Sequence, residues 1–215
     1  VYAPQHDSYL LIEAARPEAV TARSVLDVCT GSGVVAIAMA TAGTANTAVS
    51  AHDISGRAVA CARANVAAAG VHVDVHHGSL PQALARGPYD LVVANPPYVP
   101  TPEHTVGEPI PAQAGPASAY DGGRDGRLVL DPLCRAAPRL LTRGGTLLLV
   151  QSEFSGIDKT LNALAAAGMT ATVMSTRSVP FGPVLTARAR WLERIGMLIP
   201  GRREETLVVI KATAS

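Results

Sequence analysis

Short apolar runs separated by helical patterns set the plan of the chain. Seven stretches rich in Val, Leu, Thr and Ile and bounded by Gly, Pro or Asp read as strands: Ser24–Cys29, Thr47–His52, Val71–His77, Tyr89 with Leu91–Ala94, Gly145–Gln151, Met169–Thr176 and Glu204–Lys211. Between them, Tyr9–Ala15 carries Leu10, Leu11, Ala14 and Ala15 at helical spacing, with Asp7 or Ser8 as its cap and Pro17 as its stop. Val34–Ala42 reads as a small-residue helix, and Gly56–Ala69 as a long one capped by Ser55 and stopped by Gly70. Further helical patterns cover Gln82–Ala85, Arg127–Leu141 with breaks or kinks at Pro132 and Pro138, and Ile157–Ala167. Phe181–Arg194 reads as a loop with a short helix.

Alternation of strand and helix predicts an α/β fold, a mostly parallel seven-stranded sheet with helices on both faces. The last two strands lack a full crossover helix between them, so the last is expected to enter antiparallel beside its predecessor. No internal repeat or linker is visible, and residues 1–215 read as one domain, with an N-terminal lid or helix over 1–22. Residues 99–126 are rich in Pro and Gly and aperiodic, a length that marks a functional lid or substrate loop.

Composition narrows the function classes. At 48% hydrophobic and 4% aromatic residues, the core is built from Ala, Val and Leu. A net charge of +1 argues against a purely electrostatic nucleic-acid surface. The three cysteines, Cys29, Cys61 and Cys134, have neither zinc spacing nor a disulfide framework, which fits a reducing cytoplasm. No signal peptide and no apolar run of about 20 residues is present, so a soluble protein is expected. His72, Asp74 and His76 alternate along one strand, but an expected edge position makes a solvated polar face the simpler reading, and no metal site is assigned. His77 and His104 have no visible partners that would make either a general base.

The chemistry concentrates where the fourth strand runs into Asn95-Pro96-Pro97-Tyr98. Neither proline has an N–H, so the ladder stops there, and each proline holds the residue before it extended. The outcome is a stiff corner past a strand's carboxyl end, where open α/β sheets place ligands. A planar NH2 group suits that corner: Asn95 Oδ1 and the Pro96 carbonyl each accept one hydrogen, and Tyr98 lies against the flat face. A Pro-rich turn with a capping Asn is the alternative. Tyr98 equally suits packing for the loop, and Asp121, Arg124, Asp125 and Arg127 equally suit a solvated charged loop or contact with a substrate backbone.

Upstream, Asp27-Val-Cys-Thr-Gly31-Ser-Gly33 occupies a strand-to-helix turn. Ala36 stands where a dinucleotide fingerprint would need its third glycine, and an acid entering from the strand suits an amino-bearing ligand better than a pyrophosphate. Asp53 ends the next strand, placed to accept both hydroxyls of a ribose. Together these describe a nucleoside with a positively charged tail, S-adenosylmethionine.

The combination DVCTGSG, Asp53 and NPPY resembles the class I S-adenosylmethionine-dependent methyltransferases with a Rossmann-like fold, in the group that methylates planar amino nitrogens. Val1-Tyr-Ala-Pro-Gln-His-Asp-Ser-Tyr-Leu-Leu and Ala119-Tyr-Asp-Gly-Gly-Arg-Asp-Gly-Arg127 are similar to segments of the HemK-related glutamine methyltransferases of archaea and eukaryotes. The resemblance spans nearly the whole chain, without the helical substrate-recognition domain that precedes this core in the bacterial enzymes. It implies Asp27, Gly31 and Gly33 around the methionine part of the cofactor, Asp53 on the ribose, Ser8 at the mouth of the cofactor site, and Asn95 beside cofactor and target. Pro96, Pro97 and Tyr98 complete the catalytic corner. Two positions depart from the family pattern: Ser79 stands where members usually carry an acid that contacts the adenine amino group, and His6 where they mostly have Glu. The implied reaction is methylation of a glutamine side-chain amide in a protein, the Gly-Gly-Gln segment of a translation release factor. The alternative is an exocyclic amino group of adenine or guanine in RNA or DNA. A small zinc-binding activator subunit paired along a sheet edge is a further implied partner.

Overall fold

In the computed structural model, which describes residues 1, 3–102 and 109–214, the seven strands are β1 (Ser24–Val28), β2 (Ala48–Asp53), β3 (Asp74–His77), β4 (Tyr89–Ala94), β5 (Leu141–Ser152), β6 (Met169–Pro180) and β7 (Glu204–Ala214). They form one sheet in the order β3-β2-β1-β4-β5-β7-β6. The first five run parallel, while β7 is inserted antiparallel between β5 and β6. The helices are α1 (His6–Ala19), α2 (Val34–Ala42), α3 (Gly56–Ala69), α4 (Leu80–Leu84), α5 (Leu130–Leu140), α6 (Ile157–Ala166) and α7 (Pro183–Arg194). Residues Leu91–Ala94 of β4 and Leu147–Val150 of β5 are fully buried, as expected where helices cover both faces of a parallel sheet. Truncating one of these leucines to Ala would cost about 2–5 kcal/mol.

Several elements differ from the sequence expectation, each for a tertiary reason. Helix α1 starts after Gln5 and runs past Pro17 to Ala19, its small residues Ala14, Ala15 and Ala19 buried as it packs against α2 and β5. Asp7 and Ser8 are therefore not its caps. Both side chains are buried in the first turn and turned to partners elsewhere in the fold. Strand β3 is limited to the four residues that find a partner on β2. Strand β6 extends to Pro180 because β7 pairs with it along its whole length. Helix α5 is continuous over 11 residues: Pro132 falls in its first turn, where its missing N–H has no intrahelical partner to lose.

Helix α7 is a full 12 residues rather than a short one, and its apolar stripe is interrupted by Arg188. That guanidinium is buried against the loop after β4: it donates to the Pro100 carbonyl (2.7 Å) and to Thr101 Oγ1, and lies 5.5 Å from the centre of the Tyr120 ring. The loop is held from the other end by Arg127, which donates to the Ser155 and Gly156 carbonyls (2.6 and 3.2 Å) and to Thr160 (2.9 Å), and pairs with Asp131 (2.6 Å). Arg127 is thus a buried clamp, neither a solvated charge nor a substrate contact. Asp121 and Asp125 close local turns by accepting from the Gly123 and Arg127 N–H groups. Residues 99 and 121 form a parallel bridge, and Gly126 lies against the Tyr98 backbone at φ +76°, where any Cβ would overlap the Tyr98 carbonyl. The second half of the loop therefore buttresses the corner after β4. His104 and Tyr2 lie outside the described residues.

Candidate active site

Sheet order positions the site. Strand β1 has β2 on one side and β4 on the other, so the connections leaving β1 and β4 diverge and open a crevice at their carboxyl ends. Val28 pairs with Ala94, so residues 29–33 and 95–98 leave the sheet at one level. A cavity of about 300 Å³ fills this crevice, and its lining includes Ser8, Asp27, Gly31, Asp53, Ser79 and Asn95 through Tyr98. Gly33 caps α2 at φ +82°, with a hypothetical Cβ only 3.1 Å from Ala62 Cβ, so only glycine lets α2 pack on α3 there.

Asp53 is fixed by two backbone donors, Gly31 N–H to Oδ2 (2.9 Å) and Ser55 N–H to Oδ1 (2.8 Å). Each oxygen keeps a lone pair for another donor. Asp27 is buried, and its Oδ2 accepts from Thr30 Oγ1 (2.6 Å) and the Ala36 N–H (3.0 Å). Burial pushes its carboxyl up to about 7; the Thr30 and Ala36 hydrogen bonds oppose this, and the Asp53 charge adds to it. Burial, then Asp53 and Asp27, push the Cys29 thiol up to about 12, so it carries no thiolate at neutral pH.

At the other wall, Asn95 Nδ2 donates to Ser8 Oγ (3.3 Å), and among the described residues no donor engages Asn95 Oδ1 or the Pro96 carbonyl. Ser8 donates through both N–H (2.6 Å) and Oγ (3.2 Å) to Asp7 Oδ1, while the Tyr98 hydroxyl donates to Asp7 Oδ2 (3.0 Å). Tyr98 is buried, with its ring end tied to α1. Ser79 N–H and Oγ both donate to Gln82 Oε1 (2.9 and 2.5 Å), which ties this exposed residue into the start of α4.

Similarity to known proteins gives the family. Residues 5–117, just over half of the chain, match the model of the methyltransferase small domain. The chain belongs to this methyltransferase family. A protein of Methanocaldococcus jannaschii, named as a candidate protein N5-glutamine methyltransferase, is 31% identical over 88% of this chain and 91% of its own length. Methyltransferase HEMK2 of Mus musculus is 34% identical over 82% of this chain and 83% of its own. The chain spans only about half (52%) of the release factor glutamine methyltransferase of Geobacter sulfurreducens, at 36% identity. Among solved structures, the E. cuniculi Mtq2–Trm112 complex, described as responsible for methylating the eRF1 translation termination factor, superposes with a TM-score of 0.65 at 23% identity, over 100% of this chain and 98% of that one.

As a member of this family the chain uses S-adenosylmethionine, and the residues present fit it. The Asp53 carboxyl, its two oxygens set by backbone donors, could accept from a ribose diol. Asp27 Oδ1, with no donor among the described residues, could accept from the cofactor's ammonium. Other sequence candidates do not join the site. His77 bonds the Ile54 carbonyl (3.0 Å). The His76 ring lies 4.9 Å from that of the buried His52 at a tilt of 44°, and burial, then His76 and Arg86, lower the His52 pKa to about 4. Among the described residues no three His, Cys, Asp or Glu are grouped to hold a metal ion, and no helix is long and apolar enough to cross a membrane. Sequence reasoning gave Asp7 no place in the site; its only signal was the polar pair Asp7-Ser8 opening an otherwise apolar helix.

Proposed function

We propose that this methyltransferase acts on the side-chain amide nitrogen of a glutamine in a protein, in the Gly-Gly-Gln segment of a translation release factor. The carrying observation is the Asn95 amide: its NH2 is committed to Ser8, which leaves Oδ1 and the neighbouring Pro96 carbonyl as two acceptors on the cavity wall. A primary amide has two hydrogens to give and a lone pair delocalised into its carbonyl. Holding both hydrogens fixes the nitrogen and favours its pyramidalisation, which frees the lone pair for attack. S-adenosylmethionine supplies the electrophilic methyl group. No base is required beforehand, because the nitrogen becomes acidic only once methylated, and rate enhancement rests on proximity and preset dipoles. Protein rather than nucleic acid is favoured by the net charge of +1 and by the names of the relatives. A small activator subunit along a free sheet edge belongs to the same reading; the two outer strands are β3 and β6.

The test is incubation with methyl-labelled cofactor and, separately, purified release factor, RNA and DNA. Label is expected in the release factor, in the peptide containing Gly-Gly-Gln, and is lost when that glutamine is replaced. Label in RNA or DNA but not in the release factor overturns the reading while leaving the fold untouched.

A further inference from the structure

We propose that Asp7 is a positioning residue which, through Ser8, sets which end of the Asn95 amide faces the reacting nitrogen. The inference rests on the role given to Asn95 above. A primary amide side chain has two ends of nearly equal shape, one a donor and one an acceptor. With the wrong end forward, Asn95 would present N–H to a reacting nitrogen that has only N–H to offer. Something must therefore fix its rotation. Its only side-chain partner among the described residues is Ser8 Oγ, at 3.3 Å. A hydroxyl alone cannot decide, because it accepts from NH2 as readily as it donates to a carbonyl oxygen.

Asp7 removes that ambiguity. It is buried, and its carboxylate accepts and does not donate. Oδ1 takes the Ser8 hydroxyl at 3.2 Å, so the Ser8 proton points to Asp7 and only lone pairs remain for Asn95. The NH2 end of Asn95 is thereby drawn to Ser8, and Oδ1 turns away toward the cavity. Two further bonds hold Asp7 itself: the Ser8 N–H at 2.6 Å on the same oxygen and the Tyr98 hydroxyl at 3.0 Å on the other. One buried carboxylate thus couples α1 to both ends of the Asn95–Tyr98 corner. This also gives Asp7 and Ser8 a reason to lie inside the first turn of α1 rather than at its cap.

A carboxylate that sets the polarity of Ser8 behaves differently on substitution from a merely structural Asp7. Asp7→Ala frees the Ser8 proton to bond Asn95 Oδ1 and turn the amide over. Turnover at saturating cofactor should fall by about 10- to 100-fold, with cofactor affinity changed by less than about threefold. Asp7→Asn should recover most of that loss, because the Ser8 N–H still demands an oxygen on its side and the Tyr98 hydroxyl can accept from the new NH2. Asn95→Asp alone places two carboxylates on one hydroxyl. Adding Asp7→Ala to it releases Ser8 to donate, so the double variant should turn over faster than Asn95→Asp alone. Multiplying defects in the double variant, or an Asp7→Ala enzyme of wild-type turnover, overturns the proposal. Should Asp7→Ala be too unstable to assay, Ser8→Ala breaks the same link while keeping the Asp7–Tyr98 bond, and unchanged turnover at saturating cofactor overturns the proposal equally. Asn95→Ala separates the two levels of inference. Wild-type turnover there refutes the role of Asn95 itself, whereas a large loss with an inert Asp7→Ala refutes only the relay.

Discussion

On the reading that Asp27 holds the cofactor's ammonium, cofactor binding should depend on pH, and the size of the effect follows from the burial of this carboxyl. Its carboxyl is raised from 3.8 to about 7, chiefly by desolvation. A folded value above the unfolded one means that the fold favours the protonated acid. Without cofactor, the corresponding stability is fully present below about pH 4 and is lost as pH rises through about 7. Three pH units at about 1.4 kcal/mol each give a term of about 4 kcal/mol. The cofactor's ammonium reverses the preference, because a cation beside the site favours the ionised acid. Binding below pH 7 must then expel a proton. At pH 6 only about one Asp27 in eleven is already ionised, so the dissociation constant should be about tenfold weaker than at the plateau. Above about pH 7.7 the α-amino group begins to lose its own charge, which bounds the useful window. Titration calorimetry from pH 5.5 to 7.5, in two buffers of different ionisation heat, should show close to one proton released per cofactor at pH 6. In Asp27→Asn the profile should flatten, and the free protein should melt higher than wild type at pH 8. Glu205 is also pushed up to about 7 by burial, against its bond to Ser152 and with Asp7 and Glu153 adding to the rise, but it titrates in both proteins and cancels in the comparison. Equal affinities at pH 5.5 and 7.5 in the wild type, with no proton release, would refute the reasoning.

Asp53→Ala removes the acceptors proposed for the ribose and strands the Gly31 and Ser55 N–H groups, and should weaken cofactor binding by about 1–3 kcal/mol; unchanged affinity by calorimetry would remove Asp53 from the site. Ser79→Asp keeps an acceptor and adds a charge at the cavity's edge, and should tighten cofactor binding by about 1 kcal/mol. No change, or weaker binding in a folded variant, would mean that the adenine is held by other groups. Arg127→Met leaves the Ser155 and Gly156 carbonyls and Asp131 without their donor, and should cost about 3–5 kcal/mol in urea unfolding with the slope unchanged; a loss below about 1 kcal/mol would show that water replaces the clamp.

Much of this protein can be read along the chain, because its decisive signals are local. Short apolar runs mark the strands, continuous at Leu91–Ala94 and Leu147–Val150 because a strand buried on both faces must be apolar throughout. Asn95-Pro96-Pro97 and Gly31-Ser-Gly33 announce themselves because a missing N–H and a positive φ are properties of single residues. Where an element ends was decided elsewhere. Strand β6 continues to Pro180 only because β7 lies beside it, and α1 passes Pro17 only because Ala19 finds a buried place. The long loop after β4 looked unconstrained because Arg127 and Arg188 find their partners on other elements, the nearest bond to a distant element spanning 28 residues. Asp7 shows the limit most clearly. In the chain it is an acid near a helix start, where a cap is the local use for one. Its actual partner, Tyr98, lies 91 residues away, and only the closing of the sheet brings that hydroxyl within 3.0 Å. A hydrogen bond is a short-range contact with no trace in sequence spacing, so local motifs nominated residues suited to chemistry, and the tertiary fold alone decided which of them meet.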